Sequence, residues 1–253
     1  MRPTRKLLTL TGSALLLTGS VFLLPTSALA GVAAAVPCTE AGLVSAVNAA
    51  NAAGGGTITL TARCTYTLTS AHGDDGVNGP AGLPLITTPI SFSGNANTVA
   101  RSASAAPFRI AQVASTGSLT LNAVTLTGGR ATTAGHNDGG GVLNFGAVTL
   151  TGSALSGNNA AGLGGGIHSS GAAAAATFTS STVKNNTAGR GAGIASAGAT
   201  LTTTSSTITL NTATSRPGGI YSAGTSTLTS TTVTANTPAN CAGSPNPVGG
   251  CVG

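Results

Sequence analysis

The sequence predicts an all-β fold, a right-handed parallel β-helix (a solenoid of about 25–27 residues per coil) with an N-terminal capping helix. A Gly-Gly-apolar or Ala-Gly-apolar motif recurs at residues 140–142, 165–167, 192–194 and 218–220, so its last residues lie 25, 27 and 26 positions apart. An apolar-x-x-Asn motif follows each copy, and apolar residues alternate with threonine between the two motifs. Alternation with period two indicates strands with one buried and one wet face, and a single long period indicates stacked coils.

Residues 1–30 are predicted to be a secretory signal peptide. Three basic residues at positions 2, 5 and 6 precede an apolar run over residues 7–24, and Ala28-Leu29-Ala30 supplies the small residues that signal peptidase needs. An uncleaved membrane anchor is the alternative, but glycine and serine dilute the run and no second apolar segment of spanning length follows. We therefore expect a secreted, extracellular protein without a membrane span in its mature chain. Association with the cell envelope is compatible with this expectation.

Residues 31–56 are predicted to form an N-terminal cap that contains a helix over residues 39–53. Thr39 is placed to cap this helix, and Glu40 is favourable near its N-terminal end. One helical face carries four apolar residues that can close the first coil: Leu43, Val44, Val47 and Ala50. An uncovered solenoid end exposes unpaired strand edges, which invite aggregation.

Residues 57–240 are predicted to be the parallel β-helix itself. In its last four coils, apolar residues are expected to face inwards and to stack on their equivalents one coil away. Two columns between them contain only threonine and form a candidate binding face: Thr149, Thr151, Thr177, Thr179, Thr202, Thr204, Thr227 and Thr229. The region before residue 116 is less regular, and strands are expected there at residues 57–60, 85–87, 90–92 and 108–110.

A column of asparagines follows the second apolar anchor of each coil. It consists of Asn158, Asn186, Asn211 and Asn236. Asparagine turns the chain easily, and in a stack of similar coils its side-chain amide can bond to the equivalent amides above and below. We interpret this column as structural rather than catalytic.

The four cysteines occur in two local pairs, Cys38 with Cys64 and Cys241 with Cys251. Export favours disulfides, and although four cysteines allow three connectivities, these two pairings would each tie down one end of the chain. Residues 241–253 are accordingly predicted to be a disulfide-closed C-terminal tail. A metal site is disfavoured because the sequence has no Cys-x-x-Cys motif and no histidine close to the cysteines.

Charge and composition argue against nucleic-acid binding. Without residues 1–30, seven basic residues stand against four acidic ones, which leaves a net charge of +3, and the basic residues are scattered. Only 6% of all residues are charged, while threonine and valine are plentiful. This composition is typical of stacked strands rather than of a disordered chain.

The repeated motifs also resemble those of known proteins. The Gly-Gly-apolar and apolar-x-x-Asn motifs are similar to the GGAI and FxxN repeats of chlamydial polymorphic outer-membrane proteins. The segment CTEAGLVSAVNAANAAGGGTITL (38–60) resembles the CSLREA-type N-terminal region of secreted actinobacterial right-handed β-helix repeat proteins. Two further segments, GLPLIT (82–87) and SGNANTVARS (93–102), look like the second block of the same family. The resemblance implies the fold, and it implies no particular activity because most members have no known function.

No catalytic residue, metal site or cofactor is predicted. Glycosidases need paired carboxylates, and calcium-dependent lyases need several acidic oxygens and a base. Residues 116–240 contain a single acid, Asp138. Asp74 and Asp75 adjoin in a Gly-rich loop and are interpreted as a solvated turn, with weak cation binding as the alternative.

The histidines give no stronger signal. His72, His136 and His168 lie too far apart in sequence for a metal-binding motif such as HExxH. His136 belongs to the segment His-Asn-Asp before the first full coil, which is interpreted as a surface loop, with a polar site as the alternative.

Three functional hypotheses follow. The favoured one is a secreted, non-enzymatic β-helix that acts as a structural or adhesive module at the cell surface, with a cell-wall polysaccharide or a surface protein as its partner. The first alternative is a polysaccharide-active enzyme similar to pectate lyases, or a relic of one, since this fold hosts such enzymes. The second is an ice- or surface-binding protein that uses the T-x-T array, although two-residue insertions between coils are expected to twist this array. The oligomeric state is left open.

Overall fold

The computed structural model describes residues 34–253, so the predicted signal peptide at residues 1–30 lies outside the described residues. The described chain is a parallel β-solenoid of about five turns with one helix near its N-terminal end, which confirms the predicted fold class. No helix between residues 34 and 253 has the length and apolar character needed to cross a membrane.

The helix α1 (Glu40–Ala52) covers the first coil. Thr39 is its N-cap, and the Thr39 hydroxyl oxygen accepts a hydrogen bond from the Gly42 N–H at 3.1 Å. Leu43 and Val47 are fully buried against the first strands, whereas Val44 on the same predicted face is only half-buried. The Glu40 carboxylate points away from the helix and accepts hydrogen bonds from the loop that contains His72. Its Oε1 lies 2.8 Å from Nε2 of this histidine.

Twenty-one strands follow the helix in chain order. They are β1 (Gly56–Thr59), β2 (Thr65–Leu68), β3 (Pro89–Arg101), β4 (Ala111–Val113), β5 (Ser118–Thr127), β6 (Arg130–Ala131), β7 (Val142–Asn144), β8 (Ala147–Thr151), β9 (Ala154–Ser156), β10 (Asn159–Ala160), β11 (Ile167–Ser170), β12 (Ala175–Thr179), β13 (Thr182–Lys184), β14 (Thr187–Ala188), β15 (Ile194–Ala197), β16 (Thr200–Thr204), β17 (Thr207–Thr209), β18 (Thr212–Ala213), β19 (Ile220–Ser222), β20 (Thr225–Thr229) and β21 (Thr232–Thr234).

The strands stack into three parallel sheets. In the largest sheet, β3 and β5 are long strands whose two halves continue as separate runs, β8-β12-β16-β20 and β9-β13-β17-β21. The second sheet is β6-β10-β14-β18, and the third is β4-β7-β11-β15-β19. A β-strand that returns in register one coil later places each side chain above its equivalent, so columns of like residues form.

The core is a set of inward columns. Leu121, Leu150, Phe178 and Thr203 lie in register on successive strands, and each is at most 1% exposed. The core is less completely buried at the last coil, where Leu228 is only partly buried. The tail after β21 packs there, and its Val248 joins the core.

The cysteines pair as Cys38–Cys64 and Cys241–Cys251, with Cα–Cα distances of 5.8 and 6.2 Å. The first bond joins the segment before α1 to the segment before β2. The second closes a loop within the C-terminal tail. Each pair therefore lies at one end of the described chain.

Two of the expected strands in the irregular region are wrong. Residues 85–87 form no strand, since Ile86 makes only an isolated bridge to Val113, and residues 108–110 precede β4 rather than forming a strand. Pro84 and Pro107 lie immediately before these two segments. Proline has no N–H to donate to a strand ladder, which shifts pairing to the residues that follow.

The asparagine column forms a continuous buried hydrogen-bond ladder. Asn158 donates from Nδ2 to Asn186 Oδ1 at 3.1 Å, Asn186 does the same to Asn211 at 2.9 Å, and Asn211 to Asn236 at 2.9 Å. Each Oδ1 atom also accepts the backbone N–H of the asparagine one coil earlier, at 2.9–3.0 Å. The ladder continues at its C-terminal end to Asn240.

Serine and threonine form a second ladder at the corner between the two runs of the largest sheet. Ser153 N–H donates to Ser181 Oγ at 3.2 Å, and Ser181 N–H donates to Ser206 Oγ at 3.1 Å. These hydroxyls in turn donate to the carbonyls two residues earlier in their own coils. The corner is therefore closed by hydroxyl groups that satisfy buried backbone groups on neighbouring coils.

Left-handed backbone precedes each of the four asparagines of the column. Asn185, Leu210 and Ala235 have φ between 55° and 56° and stand directly before ladder asparagines, while Gly157 has φ 65° at the equivalent place. A left-handed conformation costs a non-glycine residue roughly 1–2 kcal/mol. The chain adopts it at every such corner because the turn aims the following amide into the core.

We expect Asn186→Ala to lower the free energy of unfolding by roughly 3 kcal/mol or more, measured by urea denaturation. The substitution leaves the backbone N–H and the amide of Asn158, and the carbonyl of Leu155, without their partner in a buried corner. The matched control is Asn159→Ala, which removes a hydrogen bond to Thr187 from an exposed side chain and should cost less than about 1 kcal/mol. Equal losses in the two variants would contradict a structural role for the ladder.

Candidate functional site

The two predicted threonine columns lie side by side on one outer face of the solenoid. One column is Thr149, Thr177, Thr202 and Thr227, and the other is Thr151, Thr179, Thr204 and Thr229. All eight side chains are half-buried or exposed, because the residues between them point into the core. We call the surface that these two columns form the Thr face.

The Thr face extends further towards the N-terminus than the threonine pattern indicates. The same two columns continue through Thr120 and Asn122 on β5, through serines on β3, and to Thr57 and Thr59 on β1. Seven strands, β1, β3, β5, β8, β12, β16 and β20, thus present two polar residues each, all in register. Neighbouring strands lie about 4.8 Å apart, and alternate residues of one strand about 6.6 Å apart, so the face is a regular grid of small polar groups.

The insertions between coils leave this grid undisturbed. Ala176 lies nine positions after Ile167, whereas Leu201 lies seven positions after the equivalent Ile194. The extra residues are accommodated in the turn between β11 and β12, around Gly171, and the pairing of β12 with β8 and β16 stays in register. The insertion therefore leaves the register of these strands unchanged, since the coil absorbs its extra length in a loop.

A second polar face, which the sequence analysis missed, lies across the corner. Thr125, Thr182, Thr207 and Thr232 form one of its columns, interrupted by Ala154, and a second column contains Lys184. The signal was present in the sequence as TVK, TIT and TVT around the second apolar anchor. In each of these segments, the residues on either side of the apolar anchor face outwards.

The outer side of the third sheet is covered by loops rather than exposed. Gln112, Leu143, His168 and Ala195 form an outward column on β4, β7, β11 and β15, yet each is at most 5% exposed. The loops at residues 73–80 and 132–139 approach this column and leave a cleft beside it. No sequence motif indicated this cleft.

Arg109 holds the two loops together. It is 1% exposed, and its guanidinium donates to the carbonyls of Gly79 and Asn78 at 2.7 Å each and to Gln112 Oε1 at 3.1 Å. Longer bonds of 3.4 and 3.3 Å reach the carbonyls of His136 and Asp138 in the other loop. Burial lowers the pKa of Arg109 to about 10, while the nearby aspartates act in the opposite direction.

Asp74 and Asp75 stabilise their own loop. Asp75 accepts hydrogen bonds from the Val77 and Asn78 N–H groups, from Asn78 Nδ2 and from Gln112 Nε2, at 2.7–3.0 Å. Although desolvation acts to raise the pKa of Asp75, these donors lower it to about 2. Among residues 34–253, no group of three or more histidines, cysteines or acids is arranged to hold a metal ion.

Asp138, His136 and His168 meet at a cavity of about 140 Å³ inside the cleft. Asp138 Oδ1 accepts the Leu163 N–H at 2.6 Å, and its Oδ2 lies 3.4 Å from Nδ1 of His168. Burial acts to raise the pKa of Asp138, but the His168 imidazole, the Leu163 N–H and the charge of Arg109 outweigh burial and hold this pKa below its ordinary value, so the carboxylate is ionised at neutral pH. Phe145 and Ser170 complete the wall.

The structure therefore brings together residues that the sequence analysis treated separately. The sequence predicts a surface loop for His136 and Asp138, with a polar site as the alternative, and assigns His168 to no metal-binding motif, but all three line one cavity. The asparagine column and the four cysteines lie elsewhere, in the corners and at the ends of the solenoid.

Comparison with known proteins gives no assignment. No protein-family model matches the chain, and neither a curated protein nor a solved structure shows significant similarity to it. The resemblance to chlamydial and actinobacterial repeat proteins thus stays a prediction, while the parallel β-solenoid stands on the structure itself.

We expect Arg109→Met to lower the free energy of unfolding by about 3 kcal/mol, because several buried carbonyls lose a charged donor at once. Hydrogen exchange should rise first in residues 73–80 and 132–139, which the guanidinium joins. Arg190→Met at an exposed position is the control, and it should leave both readouts unchanged. A uniform rise of exchange over all coils would contradict a local clamp.

Proposed function

We propose that this chain is an extracellular, non-enzymatic β-helix that adheres to an extended surface, such as a cell-wall polysaccharide, through the Thr face. The observation that carries the proposal is the unbroken register of small polar side chains across seven strands. A long repeating partner can meet such a face with the same contact at each coil, so many weak contacts add up to useful affinity.

The chemistry of the Thr face suits a neutral, hydroxyl-rich partner. Its two columns contain threonine, serine and one asparagine, and none of the fourteen side chains is charged. A hydroxyl group both donates and accepts hydrogen bonds, and it loses little solvation free energy compared with a charged group when a partner covers it. The backbone beneath is fixed by parallel pairing, so binding orders few additional groups.

Export is part of the proposal. Two disulfides are typical of an oxidising compartment, and no helix in the described range is able to span a membrane. The predicted signal peptide points the same way.

We propose that the protein is not an enzyme because its acidic side chains already make structural hydrogen bonds. Asp75 is saturated by four donors from its own loop and from Gln112, and Glu40 is bonded to the loop after β2. Asp138 contacts the Leu163 N–H and the His168 imidazole, and the residues that line its cavity include no second carboxylate, which a glycosidase needs.

We expect the protein to co-sediment with insoluble cellulose, chitin or cell-wall sacculi and to release no soluble sugar. A triple variant, Thr177→Val, Thr179→Val and Thr202→Val, should bind at least tenfold more weakly, because it loses hydroxyls while keeping branched strand residues. The matched control is the triple variant Thr182→Val, Thr207→Val and Thr209→Val on the second polar face, which should bind like the wild type.

Two results would reject this proposal. New reducing ends in the supernatant would show catalysis and favour the polysaccharide-active alternative. Equal binding by the two triple variants would show that the Thr face is not the contact surface.

Ice binding is a second candidate, favoured by the same in-register grid, since a crystal surface also repeats at fixed spacing. If it is correct, the wild-type protein slows ice-crystal growth, and Thr179→Tyr with Thr204→Tyr abolishes the effect by holding the face away from a flat surface. Unchanged crystal growth with the wild-type protein would remove this candidate.

A further inference from the structure

We propose that the cleft beside the third sheet is a binding site for a neutral saccharide, with one sugar ring held between Asp138, His168 and Phe145. This site is separate from the Thr face, because it lies on another side of the coil and is built by loops. It gives the molecule a selective site in addition to the repetitive contact surface.

Unpartnered polar atoms in the cavity wall point to a ligand. His168 is 5% exposed, and its Nε2 has no hydrogen-bond partner within residues 34–253, whereas its Nδ1 lies 3.4 Å from Asp138 Oδ2. Nδ1 of His136 and Nε of Arg109 are likewise buried without partners. Buried polar groups in native proteins nearly always find a partner, so this concentration in one cavity marks a place where a polar molecule completes the set.

The donors and acceptors match hydroxyl groups. A carboxylate oxygen accepts several hydrogen bonds, so Asp138 Oδ2 accepts from a sugar hydroxyl in addition to its contact with His168 Nδ1 at 3.4 Å. A hydroxyl group donates and accepts, so a second hydroxyl of the same ring matches the unpartnered Nε2 of His168. Half-buried Phe145, with Leu143, supplies the apolar wall against which the C–H face of a sugar ring packs.

The charge at the cleft argues for a neutral saccharide rather than an acidic one. The whole chain has four acidic residues, and three of them, Asp74, Asp75 and Asp138, lie close enough to act on Arg109. The positive charge of Arg109 is buried and committed to carbonyl groups, whereas Asp138 faces the cavity. A uronic acid would place its carboxylate beside this aspartate, and like charges at short distance repel.

The size of the cleft fits one ring within a chain. The cavity at His168 is about 140 Å³, below the range of roughly 300–1,000 Å³ typical of sites that enclose a complete drug-sized ligand. An adjoining cavity of about 330 Å³ shares Asn78 and Phe145 with it and is also lined by Gln112 and Ser115. A saccharide held by one ring at His168 can therefore continue past Phe145 into the second cavity.

The test uses the disulfide-bonded protein and three neutral probes, cellotetraose, chitotetraose and mannotetraose, with tetragalacturonate as the acidic counterpart. Calorimetric titration should detect at least one neutral probe, and the imidazole signals of His136 and His168 should shift in nitrogen-edited NMR spectra. Phe145→Ala and His168→Leu should each weaken binding at least tenfold, while Thr182→Val with Thr207→Val on the second polar face leaves it unchanged.

The outcomes separate this site from the Thr face. If no neutral probe shifts either histidine signal in the folded wild-type protein, or if tetragalacturonate binds as tightly as the neutral probes, the proposal is wrong. The NMR measurement on the wild type keeps the test decisive even if His168→Leu fails to fold. Probe binding with no co-sedimentation would support the cleft and reject the Thr face, and the reverse result would do the opposite.

Discussion

At each corner of a narrow solenoid, backbone N–H groups turn towards a core that holds no competing water, and every one of them needs an acceptor. In this chain the acceptor is a side chain of the following coil: Asn186 Oδ1 for the Asn158 N–H at 2.9 Å, and Ser181 Oγ for the Ser153 N–H at 3.2 Å. Because the side chains of each coil accept hydrogen bonds from the corner N–H groups of the previous coil, the position of one coil fixes the position of the next. The registered columns of core and surface residues depend on this coupling.

The corner ladders override local preference and thereby shape both surfaces. Leu210 adopts φ 56° although a leucine disfavours it, because the turn delivers Asn211 into the core. With the corners fixed, a coil can change its length only in the turns that the ladders do not control, as it does around Gly171. The Thr face is regular for this reason, and the irregular loops collect on the side where the cleft lies.

The contrast between regular coils and irregular loops also explains what could be predicted from the sequence. The fold, the capping helix and the asparagine column were visible because they repeat at one spacing or follow a local rule, such as Thr39 capping α1. The serine ladder was hidden because serine and threonine are abundant throughout. The cleft was hidden because Arg109, Asp138 and His168 come from three separate segments and meet only when the coils stack, and no periodicity encodes a contact of that kind.

A repetitive lattice and a selective site place opposite demands on a chain. Repetition gives many equal contacts and little discrimination, since each coil of the Thr face offers the same hydroxyl groups. Discrimination needs groups that occur once, held in a fixed arrangement and shielded from water. In a protein with only four acids, placing three of them around the buried Arg109, with Asp138 beside His168, concentrates the scarce charge in one cleft. Asp74, Asp75 and Asp138 all lie in loops that cover the third sheet, where variation leaves the ladders intact.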